Sequence, residues 1–177
     1  MPTFTLAFKC APLGRGEAAI RREMVADLAA EALFGESSDL YLQMYDRGII
    51  DGSFGGGFET VDGCALFTCG GDSMEPEAVL EAVVAGCGRL LERGLSQKDF
   101  SRMKRSALGR RIRSLDSFDA TCFRVCAYEL TDFDYFRFPK VYETIKKEDV
   151  EHFLRETVRQ DRCCLSVIEP IRKEHEA

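Results

Sequence analysis

The chain has 177 residues, of which 45% are hydrophobic and 31% are charged, and its formal net charge is −6. This length and composition are typical of one soluble globular domain with a substantial core. The negative charge argues against general nucleic-acid binding, and no apolar stretch approaches the roughly 20 residues that a membrane-spanning helix needs.

The first 34 residues predict a strand followed by a helix. Residues 3–9 alternate, with Phe4, Leu6 and Phe8 on one side, as in a strand buried on one face. A helix is then expected from about Glu17 to Phe34, because apolar residues recur at helical spacing. This stripe comprises Ile20, Met24, Val25, Leu28 and Ala32.

A short helix is predicted after Gly35. Ser37 or Ser38 is suited to cap its start, because a serine oxygen accepts hydrogen bonds from the free N–H groups of a first turn. Gly48 is suited to end it, because glycine adopts a left-handed conformation without a Cβ penalty.

A glycine-rich β-hairpin is predicted next. Ile49 and Ile50 open an extended run, and Asp62-Gly63 is a strong turn signal before the chain returns. Glycines at 52, 55, 56 and 57 mark a bulge or a close approach of another backbone. An exposed edge here would pair with an extended peptide through main-chain hydrogen bonds, and a bulged hairpin without a ligand is an equal alternative.

Two amphipathic helices are predicted between residues 76 and 115. Pro76 suits the first turn of the first helix, which ends at Gly94. Its apolar face comprises Leu80, Val83, Val84, Cys87 and Leu91. Ser96 and Asp99 resemble a capping box for the second helix. That helix is expected to bury Phe100, Met103 and Ala107, with Ile112 and Leu115 as further candidates.

The second of these helices is strongly basic. Its basic residues are Lys98, Arg102, Lys104, Arg105, Arg110, Arg111 and Arg113. A patch for nucleic acid or an acidic partner is one reading. Salt bridges or simple solvation are favoured, because the domain as a whole is acidic.

Three more elements complete the chain. A helix from Phe118 to Leu130 is expected to have Cys122, Phe123, Cys126 and Leu130 as its apolar side. Helical character should be lost before Pro139, because a residue that precedes proline disfavours the α region. A helix over residues 146–159, with Val150, Phe153, Leu154 and Val158 on one face, and a strand over residues 163–168 follow.

This order of elements predicts an α+β fold in two layers, with a small, mainly antiparallel sheet covered on one face by helices. Residues 1–170 are expected to form a single domain, and residues 171–177 a charged tail.

The eight cysteines are expected to be reduced and mostly buried. They are Cys10, Cys64, Cys69, Cys87, Cys122, Cys126, Cys163 and Cys164. Free cysteine behaves as a small hydrophobe, and the first ten residues do not have the pattern of a secretory signal. A cytoplasmic location is therefore predicted. Cys122 and Cys126 are read as packing residues, since no second Cys or His pair has the spacing that would complete a metal site.

Three stretches resemble the C-terminal domain of the insulinase-type (pitrilysin, M16) zinc peptidases, and most closely a bacterial cytoplasmic subgroup. They are SSDLYLQMYDRGIIDGSF at residues 37–54, GGDSMEPEAVLEAV at 70–83 and GLSQKDFSRMKRSALG at 94–109. The similarity extends from about Phe4 to Pro170, and the order and spacing of the stretches carry it.

The resemblance implies a metallohydrolase-like domain without catalytic residues of its own. In the family, His-x-x-Glu-His lies in the N-terminal domain, because zinc needs several converging ligands and a carboxylate that activates water. This chain has only His152 and His175, and neither is in such a motif. Zinc is therefore expected in the N-terminal domain, and neither a metal ligand nor a catalytic residue is predicted in this chain.

The resemblance also implies the partners. The domain would form part of a peptide-enclosing chamber with its own N-terminal zinc-type domain or a homologous subunit, around an unfolded peptide segment. The alternative is a scaffold that pairs with a homologous peptidase-like partner without proteolysis. No nucleic-acid or membrane partner is expected.

In active family members, an arginine and a tyrosine of the C-terminal domain stabilise the scissile carbonyl. Tyr45 stands at the arginine position here, Gly52 or Ser53 stands at the tyrosine position, and Arg47 is two positions out of register. A helix–sheet contact is the favoured role of Tyr45. The candidates for contact with a peptide are Tyr45, Arg47, Ile50, Phe54, Gly55 and Gly56.

Overall fold

The computed structural model describes residues 1–61 and 63–170, so Asp62, His175 and the predicted tail at 171–177 lie outside the described residues. The elements in chain order are β1 (Thr3–Cys10), α1 (Gly16–Phe34), α2 (Asp39–Asp46), β2 (Gly55–Val61), β3 (Cys64–Asp72), α3 (Pro76–Arg93), α4 (Gln97–Arg113), α5 (Phe118–Glu129), α6 (Phe138–Thr144), α7 (Lys147–Thr157) and β4 (Cys163–Ile168). The predicted order of elements is confirmed, except that α6 was not predicted.

The described strands form a four-stranded sheet in the order β2-β3-β1-β4. All three pairings are antiparallel, and Phe8 of β1 lies opposite Phe67 of β3 and Cys163 of β4. Val61 pairs with Cys64 at the hairpin turn, where Gly63 has φ 78°. The two edges of the sheet are therefore β2 and β4.

The core lies between one face of this sheet and the helices. Phe4, Leu6 and Phe8 are buried on the inner face, whereas Thr5 on the outer face is exposed. Met24 and Leu28 at the centre of α1 are fully buried against this face. The predicted two-layer α+β fold is confirmed. None of the described helices has the length and apolar character to cross a membrane.

The start and the end of α2 follow the predicted chemistry. The Ser38 hydroxyl oxygen accepts a hydrogen bond from the Tyr41 N–H at 3.0 Å, and its own proton goes to the Leu33 carbonyl at 2.9 Å. Gly48 has φ 70°, as a left-handed helix end requires. Because Ser38 bonds both Leu33 near the end of α1 and Tyr41 in the first turn of α2, it connects the two helices.

The prediction that an extended run begins at Ile49 is wrong, because β2 begins at Gly55. Ile49 and Ile50 are buried, but the chain turns directly after them. The Asp51 carboxylate accepts hydrogen bonds from the backbone N–H of Ser53 at 2.8 Å and from its hydroxyl. Such a side-chain-to-backbone bond favours a turn over a strand.

The prediction that helical character is lost before Pro139 is also wrong, because Phe138, the residue before this proline, is helical. A single 3-10 turn at Tyr135–Arg137 leads into α6, which begins at Phe138 with Pro139 in its first turn. Proline is tolerated there because the N–H that it lacks would have no partner in a first turn. Phe138 itself is helical and buried.

The amphipathic pattern of α4 is confirmed at its centre and wrong at its end. Phe100, Met103 and Ala107 are buried as predicted, while Leu115 is partly buried. Ile112 is 49% exposed. Helical spacing assigns Ile112 to a face of α4, but it does not show whether another element covers that face.

The predicted apolar side of α5 is a helix face, but it is not buried. We define the α5 apolar face as Phe118, Cys122, Phe123, Cys126 and Leu130, all of which are exposed. Phe123, for example, is 75% exposed. The opposite face of α5, with Arg124, Val125 and Tyr128, is the half-buried one.

All eight cysteines are free, but the expectation that most are buried is wrong. Cys10, Cys69 and Cys87 are buried, and burial raises the pKa of the Cys69 thiol to about 12 and that of Cys87 to about 11. Cys163 is half-buried. The exposed ones are Cys64, Cys122, Cys126 and Cys164.

Candidate functional site

The free edge of β2 is the first feature of the candidate site. Residues 55–61 pair only with β3 within the described sheet, which leaves their other edge without a strand partner. Gly55, Gly56 and Gly57 open this strand. A Cβ on Gly55 or Gly57 would meet no atom within 4 Å, whereas one on Gly56 would meet the Phe34 ring and the Thr68 carbonyl.

A cleft of about 700 Å³ lies beside this edge. Its walls come from α1 and the turn after it, the first residues of β2, the C-terminal half of α4, and single residues of α5 and α6. The polar lining includes Asp27 and Glu31 of α1, and Arg110, Arg111 and Arg124 opposite them. The glycine edge therefore faces a charged cleft.

A partly buried charge network includes two of the residues that line the cleft, Asp27 and Arg111. The Arg111 Nη2 lies 3.4 Å from both Glu23 Oε1 and Asp27 Oδ2, and its Nη1 donates to the Tyr128 hydroxyl at 3.2 Å. Tyr128 in turn donates to Glu23 at 2.6 Å. Burial, and then the neighbouring Glu23 charge, raise the pKa of Asp27 to about 6.

The other two arginines of the cleft differ in their partners. Arg110 Nη2 pairs with Glu31 Oε2 at 3.1 Å. Arg124 contacts the hydroxyls of Ser114 and Tyr135 through its Nη1. The salt-bridge interpretation of the basic helix therefore holds for Arg110 and Arg111. The sequence analysis did not predict the cleft that these residues line, because periodicity does not show which helices converge.

The structure divides the predicted peptide-contact residues. Phe54, Gly55 and Gly56 line the cleft, but Phe54 is buried, so its side chain is closed to a ligand. Ile50 is also buried and is not among the lining residues. Arg47 is exposed just after α2, away from the lining.

Tyr45 does not make the helix–sheet contact that was favoured for it. Its side chain is 53% exposed and stacks on Tyr41, with ring centroids 5.9 Å apart. Tyr41 is the residue that reaches the core, where it lies 6.0 Å from the Phe54 ring. The i,i+4 spacing of the two tyrosines predicts their contact, but which of them faces the core depends on the position of β2.

The donor set of the described residues does not fit a zinc site. His152 is exposed, and its Nε2 lies 3.4 Å from Glu156 one helical turn away. In the range 1–170 without Asp62, no group of three or more His, Cys, Asp or Glu side chains converges on a point that could hold a metal ion. Zinc requires at least three protein ligands in catalytic sites.

Comparisons with known proteins relate this fold to peptidases. No family model matches the chain. The sequence is similar to uncharacterized zinc protease YmfH of Bacillus subtilis (strain 168), with 29% identity over 160 residues, which are 90% of this chain and 37% of that protein. The chain therefore spans little more than a third of the length of this curated relative.

Solved structures share the fold. A protein described as an M16-like peptidase from Alicyclobacillus acidocaldarius matches with a TM-score of 0.85 and 24% identity, over 94% of this chain and 40% of that chain. The inactive peptidase domain of a protein described as a zinc protease from Bordetella parapertussis matches with a TM-score of 0.83 and 16% identity, over 100% of this chain and 95% of that chain. A peptidase M16 inactive domain from Pseudomonas fluorescens matches with a TM-score of 0.67 and 16% identity, over 94% of this chain and 41% of that chain.

Two of these neighbours are described as inactive peptidase domains. The sequence similarity to a zinc protease and the fold shared with M16-like proteins support an M16 peptidase-type domain.

Proposed function

We propose that residues 1–170 form the non-catalytic C-terminal domain of an M16 zinc peptidase or peptidase-like protein, followed by a charged tail at 171–177. In this role the domain forms part of a peptide-enclosing chamber and binds an unfolded peptide segment. The observation that carries the proposal is the glycine-rich edge of β2, which pairs with no other strand of the described sheet, beside a cleft of about 700 Å³.

An extended peptide is the ligand that best matches this edge. Added strands gain affinity from main-chain hydrogen bonds and specificity from pockets that receive alternate side chains. Gly55 and Gly57 present backbone without side-chain bulk, since the space where their Cβ atoms would lie is open. The adjoining cleft offers room for the inward side chains of the peptide.

Catalysis belongs, in this proposal, to an N-terminal domain that carries the zinc. The support is that the curated relative is named as a zinc protease and is more than twice as long as the matched region. The chain by itself is then inactive and requires either its own N-terminal domain or a homologous subunit. A cytoplasmic location is part of the same proposal, and eight free cysteines fit a reducing compartment.

Fluorescence anisotropy with a labelled unstructured peptide tests the binding role. We expect the purified chain to bind the peptide, and we expect N-methylation at alternate backbone positions to weaken binding, because it removes main-chain donors without changing side chains. Equal binding of the methylated peptide would refute pairing at the edge. Chelator-sensitive cleavage by this chain with added zinc would refute the non-catalytic assignment.

A second candidate function is a scaffold that pairs with a homologous domain without proteolysis. The observation that favours it is the α5 apolar face, because exposed apolar patches of this kind mark interaction sites. The homologous partner that can be tested directly is a second copy of the chain. Sedimentation velocity should then show a dimer that Phe123→Asp abolishes and Leu42→Asp, on exposed Leu42 of α2, preserves. A monomer at all concentrations would contradict self-pairing.

A further inference from the structure

Arg124 differs from the other arginines of the cleft in having no carboxylate partner among the described residues. Arg111 is shared between Glu23 and Asp27, and Arg110 pairs with Glu31. Arg124 makes its contacts with hydroxyl groups, which orient a guanidinium but do not neutralise its charge. It therefore contributes an uncompensated positive charge to the wall of the cleft.

The geometry of these contacts leaves one side of the guanidinium available. Both bonds use Nη1, which donates to the hydroxyls of Ser114 and of the buried Tyr135. Within the described part of the chain, Nε and Nη2 have no hydrogen-bond partner. An arginine presents these two donors as a planar fork that matches the two oxygens of a carboxylate.

The position of Arg124 connects it to the β2 edge. It lies on the half-buried face of α5 and lines the same cleft as Gly55 and Gly57. Glu36 also lines the cleft, but it is exposed, so solvent and salt screen its charge. An inward side chain of a peptide on this edge would enter a cleft in which Arg124 has no carboxylate partner among the described residues.

We propose that Arg124 binds a carboxylate of the peptide, so that the cleft selects extended peptides that carry one. This inference rests on the proposed peptide-binding function and specifies its substrate class. The carboxylate can come from an Asp or Glu side chain or from the C-terminus of the peptide. Arg124 acts here as a specificity-determining residue and takes no part in bond cleavage.

The test compares four labelled peptides of one length and otherwise identical sequence. Two carry Glu and two carry Gln at an internal position, and each is made with a free or an amidated C-terminus. The chain is assayed beside Arg124→Gln and beside Arg113→Gln, which removes an exposed charge of α4 outside the cleft. Arg124→Lys keeps the charge without the fork, and circular dichroism checks that each variant folds.

We expect a carboxylate to raise affinity by about tenfold in the unmodified chain, as one charge-assisted hydrogen-bonded pair does. This preference should vanish in Arg124→Gln, fall in Arg124→Lys and persist in Arg113→Gln. The Glu peptides and the free-terminus peptides reveal which source of carboxylate the cleft uses.

Each other outcome overturns a distinct statement. Equal affinity for all four peptides overturns the carboxylate inference and leaves the peptide-binding function standing. An equal loss in Arg113→Gln and Arg124→Gln assigns the preference to general electrostatics and overturns the role of Arg124. Failure of every peptide to bind overturns the proposed function and the inference with it.

Discussion

The substitution Gly56→Ala should destabilise the fold, because the inner side of β2 has no space for one more methyl group. The added Cβ would lie 2.7 Å from the Thr68 carbonyl oxygen and 2.9 Å from Phe34 Cγ. Neither neighbour can move away easily. The carbonyl belongs to β3, and the Phe34 ring is buried and stacks on Phe67 with ring centroids 5.0 Å apart.

Overpacking of this kind costs about 1–3 kcal/mol. For a domain of this length, each kcal/mol lowers Tm by about 2–4 °C, so we expect a decrease of roughly 2–12 °C. Thermal unfolding followed by circular dichroism gives the measurement.

Gly57→Ala is the matched control for this prediction. It places the same methyl group one position along β2, where no atom lies within 4 Å. A glycine-to-alanine change without strain alters stability by about 0.4–1 kcal/mol, in the stabilising direction, because it restricts the unfolded chain. If Gly56→Ala and Gly57→Ala unfold at the same temperature, the tight approach of Phe34 to β2 does not exist in solution.

Three more predictions concern a helix cap, a titrating carboxyl and a solvent-exposed face. Ser38→Ala removes the cap of α2 and should cost about 1 kcal/mol in urea unfolding, and no change would show that the cap is redundant. The pKa of Asp27, raised to about 6, means that the folded state holds this proton more tightly than the unfolded state. Its contribution to stability is therefore full below its ordinary value of 3.8 and is lost as pH rises through 6. Because the Asp27 side chain is 39% exposed, solvent screening makes the effect modest. Urea unfolding of Asp27→Asn between pH 4 and 7 should show a flatter profile than the parent, and parallel profiles would contradict the shift. Phe123→Ser should change the free energy of unfolding by no more than an exposed substitution does, about 0.5 kcal/mol, whereas Phe153→Ala should lower it by about 3–5 kcal/mol. A large loss in Phe123→Ser would mean that the α5 apolar face is covered.

Local chemistry made several features predictable from the sequence. Alternation in residues 3–9 predicts β1 and its buried side, because period two has only two faces to assign. Ser38 and Gly48 predict the two ends of α2, since a cap and a left-handed residue act within one turn of the chain. Glycines and a turn signal likewise predict the hairpin that carries the candidate site.

The candidate site itself was predictable only in part. The glycines at 55 and 56 are a local signal, and they do lie at the cleft. Asp27 and Arg124 were not predicted, because their roles arise where α1 and α5, far apart in sequence, come to line one cleft. A charge has the same sequence signature whether it is solvated, paired or left free.

The sequence alone determined most of the helices and strands, though not α6 or the start of β2, and the two-layer fold, because propensity, periodicity and capping act between near neighbours. The tertiary structure decided which of two plausible faces α5 buries. Cys122 and Phe123 have the spacing of a core stripe, yet α5 turns Val125 and Tyr128 toward the protein instead. Burial depends on what lies opposite, and only the folded chain brings that neighbour into place.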